Sequence, residues 1–162
     1  NVMNEWGSHD QTASSFSDAY NNAIARIRTV YNDNLIVDIP GWGQEYDTAA
    51  EASPLLHDNQ ITFSAHVYPA SWNSGTGRYV QPTDMDKLLA TGRPAIVGEF
   101  GTVGTGETNV TSVIDHAKEL GFAVLAWAWN GDGGEMNMEM PAWYVDPTSV
   151  TYKESTYFSS VI

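Results

Sequence analysis

Five apolar runs in the chain each end in a polar or aromatic residue, and these ends recur about every 30 residues, the length of one strand-and-helix unit. The residues at the ends are Glu5, Asp38, His66, Glu99 and Trp127. The runs before them are almost continuously apolar, which is typical of parallel strands that are covered on both faces. This recurrence predicts an α/β fold in which the five residues meet at the carboxyl edge of one sheet.

The segments between these runs have helical periodicity. Apolar residues three or four positions apart predict an amphipathic helix from Ser15 to Tyr31, with Ser14 or Ser15 as its N-cap. Further helices are expected over residues 47–56, 82–92 and 110–120, and further strands over 35–39, 61–69, 93–101 and 122–131. Periodicity alone is compatible with an open doubly wound sheet or with part of a (β/α)8 barrel, in one compact unit.

The charge of the chain restricts its partners. Its 162 residues include 7 Lys and Arg against 20 Asp and Glu, for a formal net charge of −13. Such a surface repels phosphate backbones and anionic lipids, so neither nucleic acid nor a membrane is expected as a partner, whereas a neutral substrate is not repelled. The absence of Cys excludes disulfides, thiolate nucleophiles and Cys-ligated metals. No apolar stretch is long enough to cross a bilayer.

Two of the strand ends carry a carboxylate in the same setting. The sequences MNEWG and VGEFG each place a Glu after an apolar strand and before an aromatic residue and a Gly. Neighbouring ionised carboxylates are unfavourable unless their pKa values are separated, and such a pair usually has a function. Glu5 and Glu99 match the pair used in retaining glycoside hydrolysis, with an aspartyl-protease pair or a carboxylate metal site as competing interpretations. For Asp38 we expect only a hydrogen bond to a neighbouring loop.

The Trp residues are concentrated near the same edge. Five of them lie at predicted strand ends or in the loops that follow, namely Trp6, Trp42, Trp72, Trp127 and Trp129. Aromatic faces bind the C–H faces of sugar rings, and large aromatic side chains are seldom exposed without a function. We therefore interpret these five residues as candidate sugar platforms, and we expect Trp143 to pack in the core.

Five motifs occur along the chain in the order NEWG, LIVDIPGWGQ, FSAHVYP, PAIVGEFG and VLAWAWNG. In this order and spacing they closely resemble the bacterial β-mannanases of glycoside hydrolase family 5, within the clan of (β/α)8 barrels that carry catalytic Glu on strands 4 and 7. The likeness extends from Asn1 to about Gly131. It implies that the chain forms about strands 4 to 8 of such a barrel, as a single catalytic-domain segment over residues 1–162 that lacks strands 1 to 3.

The resemblance also implies roles for individual residues. Glu5 would be the general acid/base and Glu99 the nucleophile, while Asn4 would hydrogen-bond the 2-hydroxyl of the sugar. His66 and Tyr68 would line the cleavage subsite, with Tyr68 orienting the nucleophile.

Three Trp residues complete the site that the resemblance implies. Trp127 would form the floor of the cleavage subsite, with Trp129 as the second candidate because both would point to the same side of one strand. Trp42 would be a platform in a flanking subsite. No cofactor or metal is expected, and the DGGE segment at residues 132–135 is expected to be a solvated acidic loop, with Ca²⁺ coordination as the alternative.

The implied activity is endo-acting, retaining cleavage of β-1,4-mannosidic bonds in mannan, galactomannan or glucomannan. The alternatives are an endo-β-1,4-glucanase (cellulase) of the same family and an inactive sugar-binding fragment. Five strands leave two open sheet edges, so the N-terminal half of the same barrel is the expected partner, and activity is expected only when it is present. Because its substrate is a polymer, the enzyme is expected to be secreted.

Overall fold

The computed structural model describes all 162 residues, Asn1–Ile162, as an alternation of helices and short strands. The elements are α1 (Ala13–Ile27), β1 (Leu35–Asp38), α2 (Pro40–Gly43), α3 (Tyr46–Ala52), β2 (Ile61–Val67), β3 (Trp72–Asn73), β4 (Arg78–Tyr79), α4 (Asp84–Ala90), β5 (Ala95–Phe100), α5 (Val110–Glu119), β6 (Ala123–Ala126), β7 (Glu139–Met140), β8 (Lys153–Glu154) and α6 (Phe158–Val161). None of these helices combines the length and the apolar composition that crossing a bilayer requires.

A parallel sheet of four strands forms the centre of the fold, in the order β1-β2-β5-β6. In its register Val37 lies opposite Phe63, and Ala65 lies opposite Val97. Every residue of β2 is buried, because this strand has a neighbour on each side and is covered on both faces. That burial explains the nearly continuous apolar sequence of the strand. The predicted parallel α/β sheet is confirmed.

The opening run, residues 2–7, does not form the predicted strand. Only Val2 follows the sheet pattern, since its N–H donates to the Ile36 carbonyl at 2.9 Å. The Glu5 N–H donates instead to the buried carboxylate of Asp38 at 2.8 Å. A side-chain acceptor thus takes the backbone donor that a strand would need, and the chain turns.

Helix α1 is amphipathic as predicted, but both of its ends differ from the prediction. The Thr12 hydroxyl accepts the Ser15 N–H and the Ser15 hydroxyl accepts the Thr12 N–H, each at 3.1 Å. This capping box satisfies two donors of the first turn, so Thr12 is the N-cap and not Ser14 or Ser15. The helix ends at Ile27, and Tyr31 lies in the turn before β1. The buried face consists of Phe16, Ser17, Tyr20 and Ile24.

The segment between β1 and α4 differs from the prediction in two respects. The predicted helix over residues 47–56 is divided into α3 and a 3₁₀ turn, Ser53–Leu55, because Pro54 cannot donate the hydrogen bond of a continuous α-helix. The strand predicted to reach Pro69 ends at Val67, and the short antiparallel hairpin β3–β4 follows it. The periodicity of the sequence does not indicate this hairpin, because each of its strands has only two residues.

The C-terminal region also departs from the prediction. β6 ends at Ala126. The Trp127 N–H still donates to the Phe100 carbonyl of β5 at 2.8 Å, but the Ala128 N–H donates to the Met136 carbonyl at 2.8 Å and not to the sheet. The argument that Trp127 and Trp129 share a strand face therefore does not hold, because no strand extends through them. Trp143 is 56% exposed. Its predicted core packing is wrong, since the residue lies in the turns between β7 and β8.

Two adjacent leucines of α4 offer a matched test of the core. Leu88 is fully buried, whereas Leu89 is 49% exposed. We expect Leu88→Ala to lower the free energy of unfolding by about 2–5 kcal/mol, because it removes apolar contacts and leaves a cavity. Leu89→Ala carries the same change in helix propensity and is expected to alter that free energy by less than about 0.5 kcal/mol. Urea denaturation measures both, and equal losses would show that α4 does not pack as described.

Candidate active site

Four titratable side chains meet at the carboxyl edge of the sheet. Three come from the ends of neighbouring strands and one comes from the opening loop. Asp38 is the last residue of β1, and His66 lies near the end of β2, directly opposite Glu99 of β5 in the sheet register. Glu5 joins them from the opening loop through the bond of its N–H to Asp38. The carboxyl edge of the parallel sheet therefore gathers the predicted residues, as the fold requires.

Glu5 and Glu99 form a close carboxylate pair. One oxygen of each lies within 4.8 Å of the other and of a ring nitrogen of His66. The side chain of Glu5 is 37% exposed, and that of Glu99 is 14% exposed. Retaining glycoside hydrolases hold their two carboxyl groups about 5–5.5 Å apart. The separation therefore suits a reaction in which one carboxylate attacks a sugar carbon while the other transfers a proton.

Asp38 is fully buried and holds the loop that carries Glu5. Its carboxylate accepts the Asn1 side-chain amide at 3.0 Å and the Glu5 N–H at 2.8 Å. The second bond holds Glu5 at a φ of 50°, a left-handed conformation that is uncommon for a residue other than Gly. Burial acts to raise the pKa of Asp38, but hydrogen bonds from His66 and from the Glu5 N–H lower it below its usual value. The expected hydrogen bond of Asp38 to a loop is confirmed.

His66 lies beneath the carboxylate pair. Its Nδ1 is 3.0 Å from Glu5 Oε1 and 3.6 Å from Glu99 Oε2, and its Nε2 is 3.5 Å from Asp38 Oδ2. Burial opposes a charge on the ring, but the hydrogen bonds and charges of these carboxylates raise the pKa of His66 to about 9. The ring is therefore a cation at neutral pH. With 1% of its surface exposed, the His66 ring contacts the carboxylates from the interior of the protein, and its implied place beside the cleavage subsite stays a prediction.

Tyr68 contacts the second carboxylate of the pair. Its hydroxyl donates to Glu99 Oε2 at 2.9 Å. Burial raises the pKa of Glu99, and the charges of Glu5 and Asp38 act in the same direction, while the His66 cation and the Tyr68 hydroxyl oppose the rise. The pKa of Tyr68 is itself raised, first by burial and then by the charge of Glu99. Tyr68 therefore stays neutral and keeps donating to Glu99.

The same three side chains, Glu5, His66 and Glu99, are close enough to be considered as metal ligands. A histidine ligates a metal through an unprotonated ring nitrogen. Here both nitrogens of His66 face carboxylates, and its raised pKa keeps both of them protonated near neutral pH. The arrangement suits hydrogen-bond donation by His66 better than metal ligation.

The exposed indoles lie beyond the strand ends, one in α2 and two in the segment after β6. Trp42, Trp127 and Trp129 are 45%, 38% and 59% exposed. The Nε1–H of Trp127 donates to Asp132 at 3.1 Å, and Asp132 also accepts the N–H groups of Gly134 and Met136. Asp132 therefore closes the DGGE loop by hydrogen bonds and fixes Trp127.

Two further candidates have different surroundings. Asn4 is exposed and directly precedes Glu5 in the opening loop, and its role toward the sugar stays a prediction. Trp6 is not a platform, because it packs against Phe16 and Tyr20 of α1 with ring centroids 6.2 and 5.7 Å away.

Sequence reasoning misses one pair beside the site, His9 and Glu45. The Glu45 side chain is 1% exposed and contacts the ring of His9, which lies edge-on to Trp42 with centroids 4.8 Å apart. The only sequence signal near this pair is the GWGQ motif, which Glu45 directly follows. No sequence pattern connects it to His9, because the two residues are far apart in the chain.

The sheet and its edge define a class of protein: an α/β fold with a carboxylate pair and exposed indoles, an arrangement that glycoside hydrolases share. The family described as "Cellulase (glycosyl hydrolase family 5)" matches residues 1–133. The chain belongs to glycosyl hydrolase family 5, as the sequence motifs predicted.

Individual relatives agree with this assignment. A mannan endo-1,4-beta-mannosidase of Salipaludibacillus agaradhaerens is 30% identical over 145 residues, which are 83% of this chain and 44% of that protein. The catalytic domain of a mannanase from Streptomyces sp. SirexAA-E matches with a TM-score of 0.70 at 23% identity, over 96% of this chain and 48% of that one. The β-mannanase of Thermomonospora fusca matches with a TM-score of 0.66 at 26% identity, over 85% of this chain and 48% of that one. Structures of that enzyme in complex with mannotriose and with mannohexaose match as well.

These matches confirm the predicted fold class, an α/β segment of a (β/α)8 barrel. The chain spans less than half the length of the relatives it matches. The positions of Glu5 and Glu99 at the sheet edge are observed in this structure. The activity of a complete barrel is a proposal, because this chain is similar to only part of one.

The buried His66 cation predicts a specific pH dependence of stability. Its pKa rises from 6.5 to about 9 on folding, so its stabilising contribution is complete below about pH 6.5 and is lost as the pH rises through about 9. The contribution amounts to at most about 3 kcal/mol. We expect the stability difference between wild type and His66→Gln to shrink over this range in urea titrations at several pH values.

The exposed His57 provides the control for this measurement. His57→Gln makes the same substitution at an exposed position and therefore measures the effect of the residue change by itself. A gap between wild type and His66→Gln that is constant from pH 6 to pH 10 would show that His66 is not charged in the folded protein.

Proposed function

We propose that the chain supplies the catalytic carboxylates of an endo-acting, retaining glycoside hydrolase that cleaves β-1,4-mannosidic bonds. The observation that carries the proposal is the approach of Glu5 and Glu99 to within 4.8 Å at the carboxyl edge of the sheet. Glu99 takes the role of nucleophile that the family resemblance implies, and the Tyr68 hydroxyl, which donates to Glu99 and not to Glu5, supports this choice. Glu5 is the more exposed of the two and takes the role of acid/base, which must exchange protons with the leaving group and with water.

The reaction then has two balanced steps. In the first, Glu99 attacks the anomeric carbon while Glu5 donates a proton to the glycosidic oxygen, so that the C–O bond breaks and a glycosyl ester of Glu99 forms. In the second, water attacks the same carbon, Glu5 accepts a proton from that water, and the ester bond breaks. Two inversions give net retention of configuration.

The surrounding residues act on the pair or on the sugar. The His66 cation and the Tyr68 hydroxyl stabilise the charge of Glu99 before it attacks. Asn4 is the candidate donor to the sugar 2-hydroxyl. Trp127 is the candidate floor of the cleavage subsite, with Trp129 as the second candidate and Trp42 as the flanking platform.

Mannan is the substrate that the relatives favour. The relative from Salipaludibacillus agaradhaerens and the matched structures are named as mannanases, and one of them was obtained with mannotriose and mannohexaose. Mannan is uncharged, which suits a protein with a net charge of −13. The cellulase alternative is supported by the description of the family and by a relative from Caldicellulosiruptor saccharolyticus that is named as both a β-mannanase and an endoglucanase.

A side-by-side assay separates the two substrates. We expect the full-length protein to release reducing sugar faster from galactomannan than from carboxymethylcellulose at equal mass concentration. The 162-residue chain alone is expected to be inactive, because β1 and β6 are open sheet edges and we propose that the N-terminal half of the same barrel completes the cleft. Faster cleavage of carboxymethylcellulose would replace mannanase by cellulase, and turnover by the 162-residue chain would refute the need for that partner.

We further propose that the enzyme is secreted, because a polysaccharide of this size does not enter cells. Fractionation of the source culture is the direct measurement. Detection of the protein only in cell extracts, with none in the medium, would contradict this proposal.

Replacing each carboxylate separately tests the two assigned roles. In the full-length protein, Glu99→Ala is expected to abolish the glycosyl ester, and azide is expected to restore cleavage of an activated aryl mannoside with inverted configuration, since it attacks from the vacated side. Glu5→Ala is expected to retain the first step on substrates with good leaving groups and to give an azide adduct of retained configuration. Proton NMR of the products distinguishes the anomers.

The outcomes for the two variants are mutually exclusive. A retained adduct from Glu99→Ala together with an inverted adduct from Glu5→Ala would mean that the roles are exchanged. Wild-type activity in either variant would remove that residue from the mechanism.

A further inference from the structure

The hairpin β3–β4 carries an exposed aromatic residue to which the carboxylate site gives no role. Trp72 begins β3 and is 37% exposed. It contacts Tyr79 of β4 in a perpendicular arrangement with ring centroids 5.3 Å apart. The contact fixes the indole while part of it stays open to solvent. A rigid aromatic side chain loses little conformational freedom when a ligand binds, which makes it an effective contact surface.

Buried carboxylates hold this hairpin in place. Glu45, which is 1% exposed, accepts the N–H groups of Ser74 at 2.9 Å and of Gly75 at 3.3 Å in the hairpin turn. Asp84, which is fully buried, accepts two hydrogen bonds from the Arg78 guanidinium of β4, at 2.8 and 3.1 Å. Buried carboxylates need such donors to compensate their lost hydration. The hairpin is therefore an ordered part of the structure.

The same contacts connect the hairpin to Trp42. The Glu45 side chain also contacts His9, whose ring lies edge-on to the indole of Trp42. The Trp72 N–H donates to the side chain of Gln44 at 2.8 Å, and Gln44 lies two residues after Trp42. The two exposed indoles thus belong to one rigid unit.

The hairpin is also continuous with the carboxylate pair. Tyr68, whose hydroxyl donates to Glu99, donates its backbone N–H to the Ser71 hydroxyl at 2.8 Å. Ser71 is fully buried and immediately precedes Trp72. A chain of direct contacts therefore leads from the candidate nucleophile to the indole of the hairpin.

We propose that Trp72 is the platform of an additional sugar-binding subsite, which takes a neutral hexopyranose unit of the same polysaccharide next to Trp42. The proposal rests on the proposed function as a glycoside hydrolase. Indole faces bind the C–H face of a sugar ring, and the net charge of −13 disfavours an anionic ligand. The subsite increases the affinity for long chains and takes no part in the chemical step.

Kinetics of the full-length protein test this subsite. Trp72→Ala is expected to raise KM for galactomannan about tenfold and to change kcat by less than about twofold, because a remote subsite contributes binding that the ground state and the transition state share. Trp72→Phe keeps an aromatic face and is expected to recover most of the affinity, whereas Trp72→Leu is expected to resemble Trp72→Ala.

Tyr31→Ala is the matched control. Tyr31 is an aromatic residue that is 44% exposed in the turn before β1, at the opposite edge of the sheet. Its replacement is expected to leave KM unchanged. Thermal melting identifies which variants fold. If Trp72→Ala does not fold, the comparison of KM between Trp72→Phe and Trp72→Leu tests the subsite instead.

Binding without turnover separates this proposal from the proposed function. In a Glu99→Ala background, electrophoresis through gels that contain galactomannan is expected to retard the protein, and the added Trp72→Ala change is expected to abolish most of the retardation. If the wild-type full-length protein cleaves no polysaccharide while the retardation of Glu99→Ala depends on Trp72, the hydrolase is refuted and the subsite is supported. Unchanged retardation and unchanged KM on loss of Trp72, or equal KM values for Trp72→Phe and Trp72→Leu, would overturn the subsite.

Discussion

The ion cluster around His66 is the interaction on which the candidate active site depends. One buried imidazolium faces three carboxylates, those of Asp38, Glu5 and Glu99. Without the cation, three negative charges would lie close together in a partly buried place, which is unfavourable. Without the carboxylates, a buried ring would lose its proton. The cation therefore favours the ionised form of Asp38, and the carboxylates in turn keep the buried ring protonated.

This cluster is possible only because the sheet fixes the strands that carry it. The register of β2 and β5 places His66 directly opposite Glu99, and Asp38 ends the strand on the other side of β2. The buried Asp38 then bends the opening loop so that Glu5 reaches the same point. A second unit, centred on the buried Glu45, orders the loops beyond this edge. It joins Trp42 to the hairpin of Trp72, so that both indoles have fixed positions relative to the carboxylates.

Much of this arrangement can be predicted from the sequence, and the failures have physical causes. The continuous apolar runs before Asp38, His66 and Glu99 indicate buried parallel strands, and strand geometry then brings their ends to one edge. The opening run fails as a strand because the Asp38 side chain takes the N–H of Glu5. Trp127 and Trp129 cannot be placed by strand parity, because the backbone leaves the sheet after Trp127 and residues 128 and 129 exchange hydrogen bonds with residues 136–139. In such loops the side-chain direction depends on contacts that no local pattern encodes.

The sequence by itself determined the α/β class, the order of the strands along the chain and the identity of the residues at their ends, because apolar periodicity is a local property that short segments express. It also determined the family, because the five motifs keep their order and spacing. Only the tertiary structure decided that His66 is buried against the carboxylates, that Asp38 shapes the loop of Glu5, and that Glu45 connects His9 with the hairpin of Trp72. These facts depend on burial and on hydrogen bonds between residues about 30 or more positions apart, and such pairings follow from how the strands and loops pack, which no single segment specifies.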